Sequence, residues 1–224
     1  MLPRAIKRLL HQATLSDQSY RFMFGRAPDD EFVVIDCETT GLKVRTDDVI
    51  AIAAIKIRGN RIVASEHFEA VAQPDDSDMR AEAIKVHRLR RSDVEQAPII
   101  WKVIPGFLRF IGGRPLVGYY LDFDIAMLNK YILPLVGIEL PNRRIEVSRL
   151  YYERKYSDAP PNTSIDLSFA AIQRDLKIPA LTQHDAFNDA LMTAMMFVEL
   201  RDLSERGVRI ARQRTSPVFN PTGA

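Results

Sequence analysis

A single cysteine in 224 residues, Cys37, excludes an intrachain disulfide and fits a reducing compartment. No apolar run approaches the ~18 to 20 residues that span a bilayer, so no membrane partner is expected and a cytoplasmic setting is. An excess of one charge is lacking too. The formal net charge is +2 and the pI about 8.7, which suits a polyanionic partner but is too mild to demonstrate one. What is there, 46% hydrophobic and 27% charged residues, describes an ordinary globular chain long enough for one α/β domain with appendages.

The chain divides into an amphipathic arm (1–30), a central domain (31–205) and a basic tail (206–224). In the arm, Arg4, Lys7 and Arg8 precede any acid, a composition shared by organelle transit peptides and by plain amphipathic helices; Ile6, Leu9 and Leu10 suit helical packing. Within the domain, apolar stretches at 32–36 and 48–57, then a Gly59-Asn60 turn and a further strand at 61–71, predict three strands with a hairpin. Residues 93–113 read as helix, with a kink or a break at Pro105, 115–119 as a strand, and 123–133 as a helix broken at Pro134. Residues 146–156 and 164–176 read as helices. A last helix follows Asp185, a suitable N-cap, with Leu191, Ala194, Met195 and Val198 recurring at helical spacing. Strands first and βα alternation later imply a mixed sheet covered by helices.

The acids are more informative than the elements. Three Asp-x-Glu triplets occur, and only Asp36/Glu38 follows an apolar strand and precedes a Thr-Thr-Gly turn. Strand periodicity places both carboxylates on one face, where they repel unless a cation lies between them; the alternative from this segment alone is that Glu38 lies past the strand end and both acids are solvated. Asp124 begins a helix directly after a strand, a position where the helix dipole alone favours an acid. In "HDAFNDA", Asp189 falls in the first turns of the last helix while His184 stays in the preceding loop. Cys37, between two carboxylates, is a poor nucleophile and reads as a small core residue.

Taken together and in order, D-x-E-T-x-G near the domain start, a strand-to-helix Phe-Asp, and a late H-x-x-x-x-D resemble the DnaQ-like exonuclease superfamily, in its subgroup with a histidine in the third motif. "AEAIKVHRLRRSDVEQAP" and "SIDLSFAAIQRDLKIP" are similar to further family segments. Two departures stand out: Tyr119-Tyr120-Leu121 where relatives often have His-Asn-Ala, and Glu146 where aspartate is common.

The resemblance implies a ribonuclease H-like fold, a mixed five-stranded sheet flanked by helices whose first three strands are antiparallel. It implies Asp36, Glu38, Asp124 and Asp189 as ligands of two Mg²⁺ or Mn²⁺ ions, and His184 as general base. Carboxylates suit these hard cations, and two ions ~3.5 to 4 Å apart stabilise the attacking and leaving oxygens of an in-line displacement. Thr40 and Leu42 are expected to hold and wedge the terminal nucleotide, with Phe123 packing on its base. The expected substrate is the single-stranded 3′ end of a nucleic acid, DNA ahead of RNA, with a polymerase or repair partner. The alternatives are a 3′→5′ exoribonuclease using the same five residues, and a non-catalytic nucleic-acid-binding module, which would be expected to have lost one of them. Arg88, Arg90 and Arg91 form the densest basic cluster, suited to phosphates or to plain solvation.

Overall fold

The structure, a computed structural model, describes residues 11–74, 91–182 and 184–212. Five strands form one sheet in the order β3-β2-β1-β4-β5. They are β1 (Glu31–Thr39), β2 (Val49–Arg58), β3 (Arg61–Val71), β4 (Leu116–Gly118) and β5 (Arg144–Glu146). The β1–β2 and β2–β3 pairs are antiparallel, whereas β4 runs parallel to both β1 and β5. This is the mixed α/β sheet that the resemblance implied.

Alternation along β1 feeds two cores. Val33 and Ile35 join one apolar cluster with Ile104, Phe107, Leu128 and Tyr131, from α2 (Ile100–Ile111) and α3 (Leu121–Val136). Val34 joins another with Tyr151, Ile172, Phe197 and Leu200, from α4 (Val147–Lys155), α5 (Phe169–Asp175) and α6 (Ala186–Glu205). The sheet is thus covered on both faces, and its central strand is apolar on both faces until the acids begin. Among the described residues no helix is long and apolar enough to cross a membrane.

Several sequence expectations need correction. The 93–113 segment is two helices, α1 (Arg91–Glu95) and α2, because Pro98 disfavours helical geometry before it while Pro105 is absorbed within α2. Pro134 does not end α3 either; the helix runs on to Val136, its apolar face already committed to the core, and stops at Gly137 (φ 79°). Helix α5 starts at Phe169 rather than 164, because Ser168 is its cap, accepting from the Ala171 N–H at 3.3 Å. Residues 144–146 form a short strand that three residues of sequence cannot announce. In α6 the period was right but the phase was displaced: Ala190, Thr193, Ala194, Phe197 and Leu200 are buried, while Leu191, Met195 and Val198 are half-buried.

Part of the segment read as an arm is core. A 3₁₀ helix, Gln18–Phe24, buries Tyr20, Met23 and Phe24 against α2. At the other end, Arg212 reaches the Lys155 carbonyl at 2.8 Å and Asp158 at 2.6 Å, fastening residues up to 212 along α4. The expectations for residues 1–10, Arg88, Arg90 and the end of the tail lie outside the described residues.

Candidate active site

Strand β1 carries Asp36 and Glu38 onto the face covered by α6, and their cross-strand partners are Ala53 and Ala51. Small partners matter here. Ala51 and Ala53 of β2 pack with Ala186 and Ala190 of α6, so the first turns of that helix approach the sheet closely and bring Asp189 to the strand acids. Oxygens of Asp36, Glu38 and Asp189 lie within 4.8 Å of one another. Asp185 caps α6, its Oδ1 accepting from the Asn188 N–H at 2.9 Å, as the sequence predicted.

Asp124 arrives from the opposite layer. It lies in the first turn of α3, is buried, and its carboxylate accepts from the Cys37 N–H. Burial, then the charges of Glu38 and Glu146, push its pKa well up. Asp36 is pushed well up by burial and next by Asp124, Glu38 and Asp189. Asp189 is raised to about 6, by burial first and then by Glu38. Asp36, Asp124 and Asp189 therefore resist ionising together. The same environment pushes the Cys37 thiol up, which agrees with reading it as inert.

His184 stands exposed with a left-handed backbone (φ 60°), and its N–H donates to Asp189 Oδ2 at 3.0 Å. A cavity of about 220 Å³ is lined by Asp36, His184 and Asp189 together with Tyr119 and Phe169. These two aromatics were missed as site residues. Tyr119 was read only as a departure from the family pattern, and Phe169 as an ordinary position inside a helix that in fact begins there.

The turn after β1 is built tightly. The Thr40 N–H donates to the Asp48 carbonyl at 2.8 Å, and Thr40 Oγ1 accepts from the Asp48 N–H at 2.9 Å. Asp48 in turn accepts from Tyr131 at 2.7 Å and Lys130 at 3.0 Å, tying the turn to α3. A Cβ at Gly41 would lie 2.5 Å from Asp47 Oδ2, which gives the motif's glycine a steric reason. Thr40 is buried in this turn, Leu42 is 83% exposed beyond it, and Phe123 is half-buried against the α2–α3 core. None of these three lines the 220 Å³ cavity.

Glu146, the second departure, closes the opposite side. Its carboxylate accepts from the N–H groups of Tyr120 (3.3 Å), Leu121 (3.0 Å) and Ser148 (3.1 Å), holding the starts of α3 and α4 together. Asp124 is presented by the helix start that Glu146 holds.

The donor set fits hard divalent cations: clustered carboxylate oxygens, no thiolate or imidazole required, and acids whose ionisation a cation would favour. The exonuclease family model RNase_T matches residues 33–197. A PolC-type DNA polymerase III from Caldanaerobacter subterraneus subsp. tengcongensis is 32% identical over 186 residues, covering 81% of this chain but only 12% of the polymerase. The DNA polymerase III subunit epsilon of Aquifex aeolicus is 29% identical over 172 residues, 77% of this chain and 81% of that one. Solved structures with the same fold include exonuclease X in complex with 5′ overhanging duplex DNA (TM-score 0.59, 23% identity, 80% of this chain and 95% of that one). E. coli exonuclease I in complex with a dT13 oligonucleotide is another (TM-score 0.64, 14% identity, 80% of this chain and 42% of that one). With a five-stranded mixed sheet, acids clustered at the end of its central strand and a family match spanning 33–197, this chain belongs to the DnaQ-like exonuclease family.

Proposed function

We propose that the protein is a metal-dependent 3′→5′ exonuclease that hydrolyses the terminal phosphodiester of DNA and releases nucleoside monophosphates. The observation that carries this reading is the convergence of Asp36, Glu38 and Asp189 within 4.8 Å at a cavity that His184 also lines. Asp36, Glu38, Asp124 and Asp189 would hold two Mg²⁺ or Mn²⁺ ions. When bound, such ions supply Lewis-acid stabilisation of the charge that develops on the phosphodiester. His184 takes the proton of the attacking water on an imidazole nitrogen, a role for which an exposed position at the cavity rim is suited.

Thr40 and Leu42 hold the end of the strand on the β1 side, with Leu42 as an exposed apolar wedge, and Phe123 packs against the terminal base. A polymerase III relative of nearly equal length, together with others that this chain matches over a small part of their length, supports DNA as substrate and a polymerase or repair enzyme as partner, in the cytoplasm.

Side-by-side digestion of single-stranded DNA, duplex DNA with paired or mismatched 3′ termini, and short RNA tests the reading. A site that reads one strand must unpair a duplex end first, so mismatched termini should be cut faster. Preferential degradation of RNA would replace this reading with an exoribonuclease.

A further inference from the structure

Phe169, Tyr119 and Tyr120 form a file of rings leading out of the cavity. Phe169 and Tyr119 line it and stand edge to face at 5.2 Å; Tyr119 and Tyr120 stand edge to face at 4.8 Å. Tyr120 is the outermost and is 71% exposed. Its backbone is left-handed (φ 56°, ψ 33°), a conformation that bulky side chains rarely adopt and that glycine or asparagine would adopt more readily. Glu146 fixes that conformation by accepting from the Tyr120 N–H. An exposed apolar ring held on a strained backbone, beside a cavity, is a combination that core packing does not explain.

The surface beyond it offers arginines to a phosphate backbone. A cleft of about 550 Å³, which shares Leu121 and Glu146 with this turn, is walled by Arg143, Arg144 and Arg149 alongside the acids Asp122, Glu146 and Glu153. Arg144 and Arg149 are in solvent-exposed pairs with Asp122 (2.8 Å) and Glu153 (3.2 Å), for which phosphates can compete.

From these observations we infer that Tyr120 is a stacking platform for a nucleobase of the single strand entering the site, upstream of the terminal nucleotide. The inference rests on the proposed exonuclease activity and adds to it a second base-binding position. Every base offers a π face, so the contact supports affinity for single strands without reading sequence.

The test is steady-state degradation of a single-stranded oligodeoxynucleotide by wild type and by Tyr120→Ala, Tyr120→Phe, Tyr120→Trp and Tyr120→Gly in Mg²⁺. Loss of one stacking contact should raise KM roughly tenfold in the alanine variant while kcat stays within about threefold. Phenylalanine and tryptophan should restore KM. Glycine, which relaxes the backbone but has no ring, should behave like alanine. An unchanged KM in the alanine variant, or a glycine variant that restores it where phenylalanine does not, overturns the inference. If wild type does not degrade the oligonucleotide at all, the proposed activity itself fails, and that outcome is separate from either of these.

Discussion

The backbone N–H of His184 donates to Oδ2 of Asp189 at 3.0 Å, so the candidate base and the candidate ligand are tied through the main chain. That main-chain bond does not depend on the imidazole and survives removal of the side chain. His184→Ala should keep metal-induced stabilisation while the cleavage rate falls by about 10² to 10⁴, the usual contribution of a positioned base. Thermal melts with and without Mn²⁺, beside single-turnover rates, separate the two. Loss of both together would make His184 a structural support or a ligand.

The acids give the metal-free protein a definite pH dependence. Asp189 titrates at about 6 in the fold against 3.8 as an ordinary aspartate, and Asp36 and Asp124 are displaced in the same direction. Between those values the folded state binds more protons than the unfolded one, so these groups lower stability as pH rises through the window and keep it lowered above it. The chelated protein should accordingly gain from these acids as pH is lowered from about 7 to 5, read as a rise in melting temperature. Saturating Mg²⁺ or Mn²⁺ should abolish that gain.

Asp36→Asn removes one of the repelling charges and one ligand together. In chelator its melting temperature should equal or exceed that of wild type. Metal at about a hundred times its Kd should raise wild type by about 5 to 10 °C and the variant far less. A rise of equal size in both proteins would place the bound ion elsewhere.

Glu146→Ala leaves the N–H groups of Tyr120, Leu121 and Ser148 without their carboxylate acceptor, which should cost about 1–3 kcal/mol. Because α3 presents Asp124, the metal-induced rise in melting temperature should shrink as well. Glu146→Gln keeps a carbonyl acceptor and should recover part of both. Undiminished metal stabilisation in the alanine variant would show that the α3 start holds its place without Glu146.

The sequence made the central strand legible because an apolar run interrupted by acids at i and i+2 has few readings in a covered sheet. The hairpin and the Asp185 cap were legible for similarly local reasons: a Gly-Asn turn, and an acid three residues before the N–H it accepts from. Less legible were features fixed by packing at a distance. Pro105 and Pro134 look like helix breakers in isolation, yet α2 and α3 bury enough apolar surface to retain them. The phase of α6 depends on Ala186 and Ala190 seating against Ala51 and Ala53, a contact between segments more than a hundred residues apart that leaves no local signature. For the same reason Phe169 could not be placed at the cavity, since its position follows from where Ser168 starts α5.

Digestion of a single-stranded DNA oligonucleotide labelled at its 5′ end, with Mg²⁺ or with chelator, tests the central claim most directly. The account predicts a ladder that shortens stepwise from the 3′ end, release of nucleoside monophosphates, and no products in chelator or with Asp36→Asn. Internal cleavage, removal of the 5′ label as a mononucleotide, or undiminished digestion in chelator would contradict it.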